Sequence, residues 1–367
     1  MSRFLTPLAI SLPSTVPFTG PEALERQQGG LFRARLGANE SLFGPSPKAL
    51  AAMRDAADGV WMYADPENHD LKQALARHHA VSAQNIVLGG GIDGLLGLLC
   101  RLTLESGTSV VTSLGAYPTF AFHAVGFGAA LIRVPYRGTH EDPQALLDAA
   151  RRTGARLIYL ANPDNPMGSH HPASRIEDMV ANLPDHALLV LDEAYADLAP
   201  PGVLPDIAAD HPQVIRLRTF SKGYGMAGAR VGYAIAAPDL VQAFDKVRDH
   251  FGMGRIAQIG ALAALEDQTW LTQVREKVVR ARDRVSQIAA ANGLTALPSA
   301  TNFVTVDCGR DGEHARAILR ETVARGVFIR MPGVAPLDRC IRISLGDDAA
   351  LEVLAEVLPL SIAAAGG

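Results

Sequence analysis

The chain has 367 residues, a formal charge of −4, 48% hydrophobic and 20% charged residues, a profile that fits a globular enzyme of two domains, or one large domain with a smaller lobe. The small negative charge and the lack of a basic block speak against nucleic acid as the main partner. Three scattered cysteines, Cys100, Cys308 and Cys340, make neither a disulfide framework nor a zinc motif, so a reducing cytoplasmic setting is expected. No stretch approaches the roughly 18 apolar residues of a spanning helix, so no membrane partner is expected. The start, "MSRFLTPLAISLPSTVPF", is broken by prolines and has no small-residue cleavage site, unlike a signal peptide.

The Pro-rich first forty residues suggest no sheet of their own and are expected to pack on the C-terminal part. From about residue 85 to 236, strand-like and helix-like runs alternate: "NIVL" with "GIDGLLGLLCRLTL", "SVVTS" with "PTFAFHAVGF", "ALIRVP" with "DPQALLDAARRTG", "RLIYLAN" with "ASRIEDMVANL". "ALLVLDEAY", "VIRLRTF" and "ARVGYAIA" complete the series. This pitch predicts an α/β fold, a mostly parallel sheet with helices on both faces and ligand-binding loops beyond the C-terminal strand ends. Beyond 238, "DLVQAFDKVRDHFG" and "TWLTQVREKVVRARDRVSQIAAANG" predict helices. "NFVTVDCG", "EHARAILRETVARG", "VFIRM", "CIRISLG" and "DAALEVLAEVLPLS" then predict a smaller α+β unit. The expected division is a large domain of residues 40–255 and a small domain formed by 1–39 and 256–367.

Several short stretches carry chemistry. "GGGIDG" (Gly89 to Gly94) matches GxGxxG, but "VVTSLGAYPTF" lacks the ribose-binding acid that a dinucleotide site needs. A glycine-rich turn opening a helix still offers free N–H groups to a single phosphate; taken alone, it is also compatible with a plain tight turn. Asp192 and Glu193 end the apolar run "ALLVLDEAY", where a carboxylate is costly unless a cation or a helix cap meets it. Asn165, in "ANPDNPMG", follows another strand and is either a simple Asn-Pro turn or a visitor to the same crevice. The pairs His78-His79 and His170-His171 lack metal-ligand spacing and read as solvated histidines. Lys222 is one of only five lysines among 34 basic residues, set in the glycine-rich "TFSKGYGMAGARVGYA". A lysine there is either an exposed loop residue or an amine desolvated enough to form a Schiff base and move protons, which arginine cannot do.

In order along residues 36–346, "LGANESLFGPSP", "YADP", "GGGIDG", "YPTF", "NPDNPMG", "LDEAYADL", "TFSKGYGMAGARVGYA" and "IRISLG" resemble the class I/II pyridoxal-phosphate-dependent aminotransferases of fold type I. Within them the chain is most similar to the histidinol-phosphate group. The resemblance implies a large domain with a seven-stranded type of sheet and a covalent link between pyridoxal 5'-phosphate and Lys222. Asp192 is then the partner of the pyridine nitrogen, with Tyr195 and Asn165 on the ring oxygen. Gly91, Ile92, Asp93, Thr219, Ser221 and Arg230 form the phosphate cradle, and Phe120 is the ring-stacking aromatic. Tyr63 corresponds to a tyrosine that reaches the phosphate from a partner subunit, which implies a homodimer. Arg342 and Arg330 correspond to a substrate clamp for carboxylate or phosphate, and Asn39 with Glu40 to the group's N-terminal signature.

Two departures concern the ligands: Ile92 offers no hydroxyl, and Phe18 stands where the group has a substrate-contacting tyrosine. The implied reaction moves an amino group from L-histidinol phosphate to 2-oxoglutarate. Aromatic amino-acid transamination and a threonine-phosphate decarboxylase-type lyase are the alternatives on the same scaffold.

Overall fold

In the strand Leu157–Ala161 every residue is buried. Leu157, Tyr159 and Ala161 join one apolar cluster, and Ile158 and Leu160 another. Side chains that alternate between two cores define a strand covered on both faces, as the continuous apolar runs predict. The computed structural model describes residues 3–14 and 19–366; Phe18 lies outside the described residues.

The first segment supplies α1 (Pro7–Ser11), α2 (Pro21–Gln28), β1 (Ala34–Arg35), α3 (Pro47–Asp55) and α4 (His69–His79). Next come β2 (Ile86–Gly89), α5 (Gly91–Thr103), β3 (Ser109–Ser113), α6 (Thr119–Gly126), β4 (Ala130–Val134) and α7 (Pro143–Thr153). They are followed by β5 (Leu157–Ala161), α8 (Ala173–Ala181), β6 (Leu188–Asp192), β7 (Val214–Thr219) and β8 (Gly232–Ile235). These strands form one seven-stranded sheet in the order β2-β8-β7-β6-β5-β3-β4. Its β3–β4, β3–β5, β5–β6 and β6–β7 pairs are parallel, and β8 runs antiparallel to both neighbours. The chain leaves β3 toward β4 and leaves β5 in the opposite direction, toward β6. The gap between β3 and β5 is therefore the switch point at which doubly wound sheets bind ligands.

The remainder comprises α9 (Pro238–Ala243), α10 (Arg255–Glu266), α11 (Gln268–Ala291), β9 (Thr295–Ala296) and β10 (Phe303–Asp307). Last come α12 (Gly312–Ala324), β11 (Val327–Phe328), β12 (Cys340–Ser344) and α13 (Asp348–Ala364). Here β12-β10-β9 form an antiparallel sheet under α11, α12 and α13, an α+β unit. The N-terminal segment does pack on this unit, but through a short strand of its own: β1 pairs in parallel with β11. The predicted helix "DLVQAFDKVRDHFG" is shorter than its pattern, with α9 ending at Ala243 and a 3-10 turn over Phe244–Lys246. Phe244 turns fully into the sheet core and Arg248 reaches the carbonyl of Pro66, so the chain leaves the helical path.

Ala261, Ala264 and Leu265 of α10 share a core with Ala49, Leu71, Phe220 and Tyr233. Within α11, Leu271 belongs to that core and Val274 to the core of the smaller unit. On packing grounds we propose that the two units divide within α11, not at residue 256.

Beneath the strand ends lies a buried ion network. Glu193, fully buried, accepts from Arg216 Nη2 at 3.0 Å and Arg218 Nε at 2.8 Å, and Arg218 faces Asp197 at 3.6 Å. Burial opposes the Glu193 charge, but Arg218 and Arg216 outweigh it and hold the carboxyl below its ordinary range. These cations answer the cost of the carboxylate at the end of β6. Breaking a buried pair strands a charge, so Arg218→Ala is expected to cost about 3–5 kcal/mol. Equilibrium denaturation checks this; a loss no larger than that of a surface substitution contradicts it.

Candidate active site

Lys222 follows β7, and its Nζ donates to the carbonyl of Asn39 at 2.8 Å. It keeps partial exposure, yet burial of its ammonium, reinforced by Arg342 and Arg230 and opposed by Glu40 and Asp192, pushes the pKa down to about 8. Close backbone packing sets its place: a Cβ on Gly225 would stand 2.4 Å from the carbonyl of Gly44. The Nζ lies 5.7 Å from the centre of the Tyr195 ring.

Asn39 holds the two units together at this point. It adopts the left-handed region, φ 54°, which Asn tolerates better than most residues. Its Nδ2 donates to Tyr195 Oη at 3.1 Å, its Oδ1 accepts from Ser344 Oγ at 3.0 Å, and its carbonyl also accepts from Asn302 Nδ2 at 3.1 Å. Burial pushes the Tyr195 phenol up, and Arg342 and Asn39 partly oppose this.

Asp192 ends β6, with Oδ2 accepting from Tyr159 Oη at 2.6 Å and Oδ1 from the Ala194 N–H at 2.9 Å. Among the described residues no ion pair reaches it, and burial leaves its pKa raised despite these bonds. A buried carboxylate in that state calls for a cation. Phe120, expected to stack on a ligand ring, is fully covered and stacked on Tyr159, with ring centres 4.9 Å apart. Tyr117, three residues earlier, keeps partial exposure and lies within electrostatic reach of Tyr159, Tyr195, Arg330 and Arg342. The motif "YPTF" contains both rings and does not reveal which one faces the crevice.

The residues expected to form a phosphate cradle come together. Gly91, φ 84°, opens α5, and a Cβ there would stand 2.5 Å from Arg230 Nη2; a Cβ on Gly232 would meet the Gly91 carbonyl carbon at 2.6 Å. Arg230 is thus laid directly on the helix N-terminus, which attracts anions by itself. Thr219 Oγ1 donates to Ser221 Oγ at 2.9 Å and accepts from the Ser221 N–H at 3.1 Å. Ile92 lies next in this helical turn, and the Asp93 carboxylate is directed to His123 Nε2 at 2.6 Å, which leaves only its backbone free to meet an anion.

Arg342 and Arg330 face each other across an antiparallel bridge, with backbone N–H···O bonds of 3.2 and 2.6 Å. Arg342 donates from Nη1 to Asn165 Oδ1 and from Nη2 to the Gly37 carbonyl, and its Nε is buried with no partner. Burial, with help from Arg330, lowers its pKa. Neither arginine has a carboxylate partner among the described residues.

Tyr63 stands apart from this constellation, exposed, its ring stacked on Phe251 at 4.5 Å and its carbonyl held by Arg255. Val60, Trp61 and Met62 extend the same exposed apolar patch. The histidine pairs are less solvated than expected: His79 is bonded to Tyr233 at 2.8 Å and pushed down to about 3 by burial, and His171 meets the Glu141 carbonyl at 2.9 Å.

A model of the aminotransferase class I and II family matches residues 34–358. A histidinol-phosphate aminotransferase of Anaeromyxobacter is 36% identical over 347 residues, covering 93% of this chain and 94% of its own length. One from Moorella thermoacetica is 33% identical over 341 residues, 92% of this chain and 87% of its own. The crystal structure of a histidinol-phosphate aminotransferase from Sinorhizobium meliloti in complex with pyridoxal-5'-phosphate is 56% identical, covers 99% of this chain and 98% of that one, and superposes with a TM-score of 0.96. The chain belongs to the class I and II aminotransferases.

On this lowered pKa and its place beside Tyr195 and Asn39, we propose Lys222 as the reactive amine. At pH 8 about half of it is neutral, against about 0.3% of an ordinary lysine. Acetylation of the cofactor-free protein, followed by peptide mass spectrometry, is expected to show a Lys222 midpoint near pH 8. Arg342→Leu removes a neighbouring cation and is expected to move that midpoint upward. A midpoint near that of free lysine contradicts the assignment.

Proposed function

We propose that the chain is a pyridoxal-phosphate-dependent aminotransferase that moves the amino group of L-histidinol phosphate to 2-oxoglutarate. The observation that carries this substrate is the Arg330–Arg342 pair, two guanidiniums without a carboxylate partner among the described residues; Arg342 is near enough to Lys222 to lower its pKa, and Arg330, beside Arg342 across the bridge, donates to the Thr19 carbonyl. Two uncompensated planar forks suit a phosphate dianion, and the S. meliloti enzyme supports the same choice.

The residues fit pyridoxal phosphate. Asp192 lacks a cation and matches a protonated pyridine nitrogen. Gly91, Ile92, Asp93, Ser221 and Arg230 provide N–H groups and charge for the phosphate, with Thr219 holding Ser221. Tyr195 and Asn165 stand ready for the ring oxygen. When bound, the cofactor supplies an aldehyde for amines and a ring that spreads the charge left on the substrate's α-carbon.

The other steps belong to this chain. Lys222, once its amine is free, takes the proton from the α-carbon and returns one to the cofactor side. Its lowered pKa leaves about a tenth of it neutral at pH 7, far more than of an ordinary lysine, and the Asn39 carbonyl steadies it. Asp192 stays ionised and balances positive charge at the ring nitrogen. Arg342 and Arg330 fix the distal phosphate of the donor, and Arg342 takes a carboxylate of the oxo-acid in the other half-reaction. Tyr117 is the ring that closes over the ligand in place of Phe120.

The Val60–Tyr63 and Phe251 patch is the contact of a homodimer, and Tyr63 reaches toward the partner's phosphate. Trp61, 80% exposed at its centre, is the anchor. Action in the cytoplasm accords with Cys100, Cys308 and Cys340, all free and buried.

With 2-oxoglutarate as acceptor, kcat/KM for histidinol phosphate is expected to exceed that for phenylalanine and tyrosine by at least ~10²-fold, in line with two charge-assisted clamps. Preference for phenylalanine, or carbon dioxide release without glutamate formation, contradicts the reading. Trp61→Asp is expected to convert dimer to monomer in sedimentation; an unchanged species contradicts the dimer contact.

A further inference from the structure

Beyond Ile158 the strands β3 and β5 cease to pair, and they part at the switch point of the sheet. The carboxyl of Glu141 fills that split. It is 2% exposed, and its Oε1 accepts the N–H of Ala161, the last residue of β5. The Ser113 hydroxyl at the end of β3 is near enough to favour the ionised carboxyl. Even so, Ser113 Oγ and Glu141 Oε2 are both buried without a hydrogen-bond partner among the described residues. The turn that starts at Asn162 is closed by a second buried carboxyl: Asp164 accepts from Tyr136 Oη at 2.9 Å and from the Met167 N–H at 3.1 Å. The next residue, Asn165, accepts from Arg342.

We propose that Glu141 and Asp164 are positioning residues for Arg342. Glu141 fixes where the turn leaves β5, Asp164 fixes its shape, and together they set the net charge of the wall behind the guanidinium. This inference rests on the reading of Arg342 as the substrate's anion clamp.

Electrostatics support the geometry. Among the described residues no cation contacts Glu141; burial and then Asp164 push its pKa well above the ordinary range, which favours the uncharged acid. Burial raises Asp164 to about 7 against the opposing bonds of Met167 and Tyr136 and the charge of Arg342. The groups facing the pair are Ser113 on β3, Tyr136 after β4, Tyr159 on β5, His171 on the Glu141 carbonyl, Asp192 on β6 and Arg342 on β12. As pH rises through 7, Asp164 gains a charge that competes with the substrate anion for Arg342. The upward push on Glu141 works against a second such charge.

The test compares wild type with Glu141→Gln, Glu141→Ala and Asp164→Asn, all loaded with cofactor, from pH 6 to 9. Two readouts are taken: the calorimetric Kd for inorganic phosphate, which needs no turnover, and KM and kcat with histidinol phosphate. At pH 7, Glu141→Ala is expected to raise Kd and KM ~tenfold with kcat within ~threefold, and Glu141→Gln to stay within ~twofold of wild type, since it keeps the acceptor for Ala161. The ratio of wild-type to Asp164→Asn Kd is expected to climb through pH 7; the ligand's own titration cancels in that ratio. Unchanged Kd and KM in Glu141→Ala, a Glu141→Gln protein as weak as Glu141→Ala, or a flat ratio each overturn the inference. If Glu141→Ala does not fold, the Asp164→Asn ratio decides by itself. Phosphate binding as expected without histidinol-phosphate turnover sinks the proposed substrate and leaves the positioning role standing; turnover with a flat ratio does the reverse.

Discussion

One constraint organises the molecule: an amine must be kept out of water enough to lose its proton, yet stay reachable by a ligand. Lys222 meets it at a seam between two units, with its Nζ on the carbonyl of Asn39. That carbonyl comes from the N-terminal segment, whereas Lys222 comes from the loop after β7. Asn39 in turn is bonded to Tyr195 on the large unit and to Ser344 and Asn302 on the small one. The seam is therefore fixed by the same residue that steadies the amine, and desolvation of Lys222 depends on both units being in place.

Charge is arranged around that seam by face. At the end of β6, Asp192 points into the crevice and, among the described residues, is in no ion pair, while Glu193, its neighbour, points to the other side and pairs with Arg216 and Arg218. Strand alternation makes this possible: one carboxylate is stabilised by Arg216 and Arg218, and the other is left to be satisfied by a ligand. Arg230 on the helix N-terminus and Arg342 beside Arg330 mark two further places where positive charge is left open. On the proposed function, these three places would meet the parts of an elongated ligand: cationic ring nitrogen, nearby phosphate, distal anion.

Much of this was legible in the sequence because it rests on local pattern. The doubly covered strands show as unbroken apolar runs, and the odd lysine and the acid at a strand end announce themselves by being out of place. The family resemblance supplied the order of the motifs, and the matches to known aminotransferases agree with it. What escaped depends on tertiary packing. Tyr117 and Phe120 share one motif, and only tertiary packing shows that Phe120 stacks on Tyr159 while Tyr117 keeps partial exposure. Glu141 reads as a polar residue before a helix cap, since nothing local says that β3 and β5 will part around it. The length of α9 and the side on which α10 packs were decided by Phe244 and by the α3–α4 surface, neither of which leaves a mark in the helical pattern.

The central claim is that Lys222, and no other amine, is the residue to which pyridoxal phosphate becomes attached. Borohydride reduction of the purified, cofactor-loaded protein followed by peptide mapping tests it most directly. The account predicts a single pyridoxyl adduct, on the peptide containing Lys222, and its loss together with the visible absorbance band in Lys222→Ala. An adduct on Lys48, Lys72, Lys246 or Lys277, or a Lys222→Ala protein that keeps the band, contradicts it.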